Sequence, residues 1–530
     1  MGYIGNTLRI PLDIGGFTAN PNTDIIPLTS IIGGKNINFH QGGKRKRKGT
    51  AKVNGTAVSG APQLVGLIDY ILYDATQFQV FATNDGKIYK NSTTTIKTGL
   101  TADKVSNFVI WADTLYHTNK QDTIQTWNGV AASTSDLTNP ATDWGAGDQP
   151  TQLIVHGSKN SERLWACGSP GQPRRIYASA NGSANFVTGV ITFNIETGDG
   201  AGIVGMRELQ DKLICFGKNR AFIIDDSSTD TANWDYDKAA WTGGAAHHRV
   251  TCNTDNDIIV MSEDMDIYSI RAVQETGDYK AASIARPAFI DQWIKDNCKV
   301  AQIAKFHMIY DTIRRAVLLF LVSNSSATNE VDICLPFYID RPIETAWGVP
   351  FDNATYACGY DASCAAMVKK SAGVYAVYTG DYDGFIWELE TTLSDDSNAF
   401  YNGLILPYVS AENIRVNKTW DNLWLVVIPY ADTTLSVRVW VDGHLIVGED
   451  NLVTEAGDFI LTEDGYYLVT EQEQLWNLTF STNVDLLEDM NVLGEEGKRI
   501  KIEIFNESAT SDYLLSQVLF DFRDLGAQPK

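Results

Sequence analysis

Asp211-Lys212-Leu213-Ile214-Cys215-Phe216-Gly217, followed by Ala221-Phe222-Ile223-Ile224, is the stretch from which the rest of the chain can be read. Two short runs of β-branched, aromatic and other apolar residues flank a polar turn, and the first is entered from an acidic residue. That pattern predicts a β-hairpin. The same unit recurs at residues 78–90 around Asn84-Asp85-Gly86, and at 113–127, 162–177, 257–270 and 316–339. It returns at 373–388 around Asp383-Gly384. Seven hairpins therefore lie between residues 75 and 390.

Their starts are about 35 to 60 residues apart, near the roughly 40–50 residues of a propeller blade, a unit that cannot bury both faces of its sheet alone. The expected fold is mainly β: a β-propeller of six to eight blades, with seven fitting the hairpins best. Two packed β-sandwiches are the alternative, since neither WD40 nor kelch signatures occur. Helical periodicity is confined to residues 288–295, after Pro287, and to a short piece at 206–213.

Beyond residue 395 the strands lengthen and alternate, as in Leu423-Trp424-Leu425-Val426-Val427-Ile428 and Arg499-Ile500-Lys501-Ile502-Glu503-Ile504-Phe505. Polar positions such as Ser436, Arg438, Lys501 and Glu503 mark sheets with one wet face, so residues 396–530 are expected to form a C-terminal β-sandwich. Inside it, Leu452-Val453-Thr454-Glu455, Ile460-Leu461-Thr462-Glu463 and Leu468-Val469-Thr470-Glu471 repeat with a period of eight. Residues 449–475 hold eight acidic residues and no basic one. A projecting acidic meander is expected, with Glu455, Glu463 and Glu471 as contacts to an appendage or a subunit, or else as solvated decoration. Residues 1–60 read as an arm or edge strands ahead of a propeller at 61–395.

Composition narrows the chemistry. The 530 residues carry 65 Asp and Glu against 42 Lys and Arg, a formal charge of -23. A sequence-general nucleic-acid binder needs a cationic footprint, so that class is disfavoured. No apolar run approaches the roughly 20 residues of a membrane span, and the opening Met-Gly-Tyr-Ile-Gly-Asn has neither an export signal nor the myristoylation pattern. The seven cysteines are scattered among apolar runs and are expected to be reduced core residues.

No catalytic centre, metal site or cofactor site emerges, so an enzyme is not expected. Gly200-Ala201-Gly202-Ile203-Val204-Gly205 spells a dinucleotide fingerprint, but the next strand begins too soon for a crossover helix. Asp85-Gly86 and Asp383-Gly384, though similar to sialidase Asp-boxes, are explained as hairpin turns. His247 and His248 are adjacent, and on a strand they would point to opposite faces and share no metal. Cys358 and Cys364 have no histidine near them. The one basic cluster is Lys44, Arg45, Lys46, Arg47 and Lys48, flanked by glycines. It suits a phosphate contact, a solvated turn or an interface with an acidic neighbour, and the interface between subunits is the assignment expected here.

Three stretches carry a family resemblance. Asn36-Ile37-Asn38-Phe39 leads to the basic run and Lys48-Gly49-Thr50; Gly202-Ile203-Val204-Gly205 leads into the hairpin quoted first; Asp257-Ile258-Ile259-Val260-Met261-Ser262 precedes Asp266-Ile267-Tyr268-Ser269-Ile270. In this order, and with a β-sandwich at the end, the chain resembles the tail hub or nozzle (tail tubular) proteins of short-tailed bacteriophages. The acidic eight-residue repeat has no counterpart there, and Met265 stands where a blade turn more usually has Gly. The resemblance implies a structural virion protein of the tail, assembled in the host bacterial cytoplasm as a homo-hexamer. It implies as partners a head-to-tail adaptor ring and tailspike, fibre or needle proteins, with double-stranded DNA passing through without sequence-specific binding. An acidic wall suits that passage, because each phosphate neutralised by a cation would strengthen binding and slow transit. A carbohydrate-binding or carbohydrate-degrading propeller is the alternative, and a peptide-binding scaffold a third.

Overall fold

The computed structural model describes residues 6–22, 26–40, 43–91, 93–157, 162–272, 279–411, 414–451, 469–473, 476–480, 486–490 and 495–525. The chain divides into two compact units: Met1–Lys48 with Thr345–Thr355 and Leu393–Lys530, and Gly49–Glu344 with Tyr356–Thr392. The basic run thus ends the first segment of one unit, and Gly49 begins the other.

The described residues of the larger unit form seven small antiparallel sheets in chain order. Their middle hairpins are the seven read from sequence; in the fourth, for instance, Lys212–Gly217 pairs with Ala221–Asp225. Ahead of each hairpin lies a first strand: Leu64–Ile71, Asn107–Trp111, Gln152–His156, Ile203–Leu209, Thr251–Asn253, His307–Asp311 and Cys364–Ser371. Six sheets have four strands, and the sixth has three among the described residues. The outer strand of the seventh is Gly49–Lys52, from the other end of the unit, with Trp387 opposite Lys52.

Each first strand lies beside the first strand of the next sheet, and Cys364–Ser371 lies beside Leu64–Ile71. The packing explains the unbroken apolar strands. Leu213 and Cys215 pack with Trp165 and Ile176 of the third sheet, whereas Ile214 and Phe216 pack with Ile258 and Val260 of the fifth. Alternate side chains point to opposite faces, and here both faces are covered. The first and seventh sheets share a core too, through Leu64, Phe81 and Tyr89 with Val368, Tyr378 and Ile386.

Turn chemistry sets the hairpins. Gln210 and Asp211 have φ of 48° and 60°, the paired positive values of a two-residue hairpin turn. Residues 206–213, expected as a helical piece, are therefore two strands: Met206, Leu209 and Leu213 fit a helical spacing, but both neighbouring sheets take up their side chains. Asp381 closes the turn at 383–384, its Oδ1 accepting from the backbone N–H groups of Asp383 and Phe385 at 2.9 and 2.8 Å and its Oδ2 from the indole of Trp387 at 2.8 Å. Met265 has φ 67° and is buried; its turn uses the conformation glycine adopts freely and holds a bulky residue there. The one α-helix among the described residues, Ile290–Asn297, follows a short turn at Arg286–Ala288, two residues later than expected.

Besides the two-stranded pair Val447–Asn451 with Val469–Glu473, the described residues of the smaller unit form two larger antiparallel sheets. One centres on Lys418–Pro429 paired with Tyr513–Asp524, the other on Thr433–Val441 paired with Ile500–Asn506. Alternation is clear: Leu435, Val437, Val439 and Val441 are buried, while Ser436 and Arg438 are half-exposed. Arg438 sits opposite Glu503, 3.0 Å from its carboxylate. The N-terminal strands belong to this unit: Asn6–Pro11 and Gly43–Lys46 pair with Tyr513–Asp524, and Gly33–Lys35 pairs with Asn402–Ile405. These N-terminal strands are thus completed by strands roughly 370 to 520 positions later.

Candidate functional site

The basic run lies mostly inside the smaller unit. Gly43–Lys46 is a strand, so Lys44 and Lys46 point to one face and Arg45 to the other. Lys44, Lys46 and Arg47 are 0–1% exposed. Lys44 Nζ donates to the Gly15 carbonyl and stands 4.0 Å over the Phe39 ring. Lys46 Nζ is caged by the carbonyls of Ser508, Leu393 and Ser511 at 2.7, 3.0 and 3.1 Å. Burial, then the neighbouring Arg47, brings its pKa down to about 8 against the opposing pull of Asp512 and Asp395.

Arg47 is the centre. Its guanidinium donates to both carboxylate oxygens of Asp395 at 2.9 and 2.8 Å, to Asn36 Oδ1 at 2.7 Å and to the Asp352 carbonyl at 3.1 Å. Phe400 covers it at 3.9 Å. Asn36, at φ 60°, also accepts from the Asp352 N–H and donates to the Tyr401 carbonyl at 2.6 Å. Arg45 makes a two-point contact with Asp512 at 3.0 and 2.6 Å and lies over Tyr430.

Four of the five consecutive cations, Lys44 to Arg47, therefore clamp together all three chain segments of the unit. This differs from the subunit boundary expected of them: the partners described for Lys44, Lys46 and Arg47 belong to the same chain, and such enclosed side chains reach no neighbour without breaking the clamp. Arg45 is half-buried, and only Lys48 is exposed. Of the acidic repeat, Glu455 and Glu463 lie outside the described residues. Glu471 falls in strand Val469–Glu473, opposite Glu449.

The cysteines are buried, and burial pushes the Cys167 and Cys298 thiols up to about 12 and those of Cys252 and Cys364 up to about 11. A nucleophilic thiolate needs the opposite shift. No group of three metal-ligating side chains occurs among the described residues. His247 donates to the Ile303 carbonyl at 2.8 Å, and its ring meets that of His248 edge-on. Gly200–Gly205 runs into strand Ile203–Leu209 rather than a helix.

His156 is a further tie. Its ring nitrogens are 3.2 Å from Glu208 and 3.3 Å from Asp226, the contacts of an ion pair rather than of aligned hydrogen bonds. Burial opposes charging this ring, yet the two carboxylates prevail and raise its pKa to about 9. Sequence reasoning passed over His156, and also Arg207 and Arg249, because their partners are distant in the chain.

No protein-family model and no curated protein matches the sequence. Among solved structures, the crystal structure of BBS1N in complex with ARL6DN, soaked with mercury, is 10% identical at TM-score 0.39, covering 66% of this chain and 98% of that one. The structure of U3-55K is 8% identical at TM-score 0.40, covering 65% and 100%. At such scores neither likeness carries an argument.

Proposed function

We propose that the larger unit is a seven-bladed β-propeller, that the smaller is a β-sandwich, and that the chain is a structural subunit of the hub or nozzle of a short phage tail. Six copies form a ring that joins the portal adaptor to tailspikes, fibres or a needle and lets DNA pass. In favour of the propeller are the seven sheets in chain order, the core shared by the first and the seventh, and the Gly49–Lys52 strand that joins the two ends of the unit.

One observation carries the functional reading: the chain's only concentrated positive charge is folded into its interior. The smaller unit holds 27 acidic residues against 15 basic ones and the larger 38 against 27, so each keeps a net negative charge near -12 or -11. With its cations enclosed, such a wall offers a polyanion little to release counterions against. Native mass spectrometry and a duplex-retention assay at low salt test this. A hexamer that leaves DNA unretained is the expected result; a monomer, or a ring that holds duplex with a steep salt dependence, would overturn it.

A further inference from the structure

Asn54, Asn128, Asn181 and Asn402 are each followed by glycine. In such a pair the glycine nitrogen can attack the asparagine side-chain carbon, because the glycine has no side chain to crowd the approach. Local structure sorts the four. Asn54 and Asn402 are 6% and 0% exposed, and both amides are held on each side. Asn54 accepts from the Ile386 N–H at 2.6 Å and donates to the Thr56 and Gly384 carbonyls, each at 3.0 Å. Asn402 accepts from the Tyr513 hydroxyl at 2.7 Å and donates to the Asn506 carbonyl at 2.8 Å. Asn181 is exposed, but the Gly182 N–H already donates to the Glu162 carbonyl at 3.2 Å.

Asn128 differs in both groups that would react. It is exposed and lies between strands Gln125–Trp127 and Ser135–Asp136 of the second sheet. Its Oδ1 accepts from the N–H groups of Val130 and Ala131 at 3.1 and 2.9 Å. Those donors hold the oxygen on which negative charge collects when Cγ is attacked, as an oxyanion hole does. Gly129, at φ 80°, is buried so closely that a Cβ there would stand 2.9 Å from Leu72 Cδ1, and its N–H has no hydrogen-bond partner among the described residues. A buried donor without an acceptor is unfavourable, and ring closure through that nitrogen removes it.

The oxygen-holding turn alone is not special to this position. Asn119 and Asn185 likewise accept from the backbone two and three residues ahead. The residues that follow them, Lys120 and Phe186, carry side chains, and the Phe186 N–H is engaged by the Asn139 carbonyl at 2.9 Å. Among the described residues, only Asn128 combines the two donors with an unengaged glycine nitrogen.

We propose that Asn128 is a site of spontaneous deamidation in the folded chain. The Gly129 nitrogen gives its proton to hydroxide and bonds to Asn128 Cγ. The bond from Cγ to Nδ2 then breaks, and Nδ2 takes a proton from water and leaves as ammonia. A further water opens the cyclic imide at either carbonyl, giving aspartate or isoaspartate. Either product places one added negative charge beside Val130, which is 83% exposed. The inference does not depend on the hub reading.

Peptide mapping by mass spectrometry, on the full chain kept for days at neutral pH either folded or in urea, provides the test. In the folded chain Asn128 is expected to convert at least about tenfold faster than Asn181, while Asn54 and Asn402 stay intact. In urea the four should convert at similar rates, since only the shared Asn-Gly sequence remains. Asn128→Gln should leave its peptide unconverted, because ring closure then needs one more methylene. Conversion of Asn128 in the folded chain no faster than that of Asn181, or slower than its own rate in urea, would overturn the proposal. A lead of Asn128 that persists undiminished in urea would overturn it equally, by assigning the effect to sequence alone.

Discussion

Replacing Arg47 by Met removes the guanidinium from a site where it and Asp395 are both fully buried. The methionine fills much of the aliphatic volume under Phe400, so the loss is chiefly electrostatic. Asp395 loses two charged hydrogen bonds, at 2.9 and 2.8 Å, and Asn36 Oδ1 loses the one at 2.7 Å. Removing one partner of a buried ion pair costs about 3–5 kcal/mol. With a urea slope of about 2–3 kcal/mol per molar, the transition of the smaller unit should move down by about 1–2 M. The assay is urea unfolding followed by hydrogen exchange or limited proteolysis, which reports the two units separately. Arg47→Lys should recover little, since an ammonium cannot repeat the two-point contact. The double variant Arg47→Met/Asp395→Leu should regain a large part of the loss, because neither member of the pair is left enclosed without the other. A single variant within about 0.5 kcal/mol of the parent would refute the clamp.

The same geometry separates neighbours in the basic run: Lys46→Glu should leave the smaller unit unfolded, whereas Lys48→Glu should change its stability by no more than about 0.5 kcal/mol, both read by circular dichroism melts. His156 has a pKa raised to about 9 from an unfolded value near 6.5, so its stabilising effect is complete below about pH 6.5 and is lost as pH climbs through 9. His156→Gln should flatten the melting temperature between pH 7 and 10, and an unaltered profile would dismiss the tie. The native thiols should resist alkylation at pH 7.5, all seven reacting only after denaturation; rapid labelling of one in the folded chain would show a misplaced core residue.

The hairpins were legible because they are local: acidic and glycine residues make the turn, and apolar runs on either side fill two faces. The strands that complete each sheet carry weaker signals. Ile191–Asn194 is partly exposed, and Gly49–Lys52 finds its partner more than 330 residues away. The basic run misled for a similar reason. Five cations in sequence read as a solvated or intermolecular patch, and the residues that enclose them, Asp352, Asp395 and Asp512, are distant enough that no local window joins them. The edge of the N-terminal segment moved from residue 60 to Lys48 on the same ground, its strands being paired with the chain's last ones. Residues 206–213 show the limit of periodicity, since apolar residues on alternating faces of two strands and a turn can imitate a helical stripe.

Electron microscopy of the purified chain, alone and with virion components, tests the proposed assembly most directly. The account predicts a six-fold ring in which each copy contributes a closed circle of seven sheets, with negative potential along the bore. A solitary molecule gripping a saccharide, or a continuous cationic track down the bore, would contradict it.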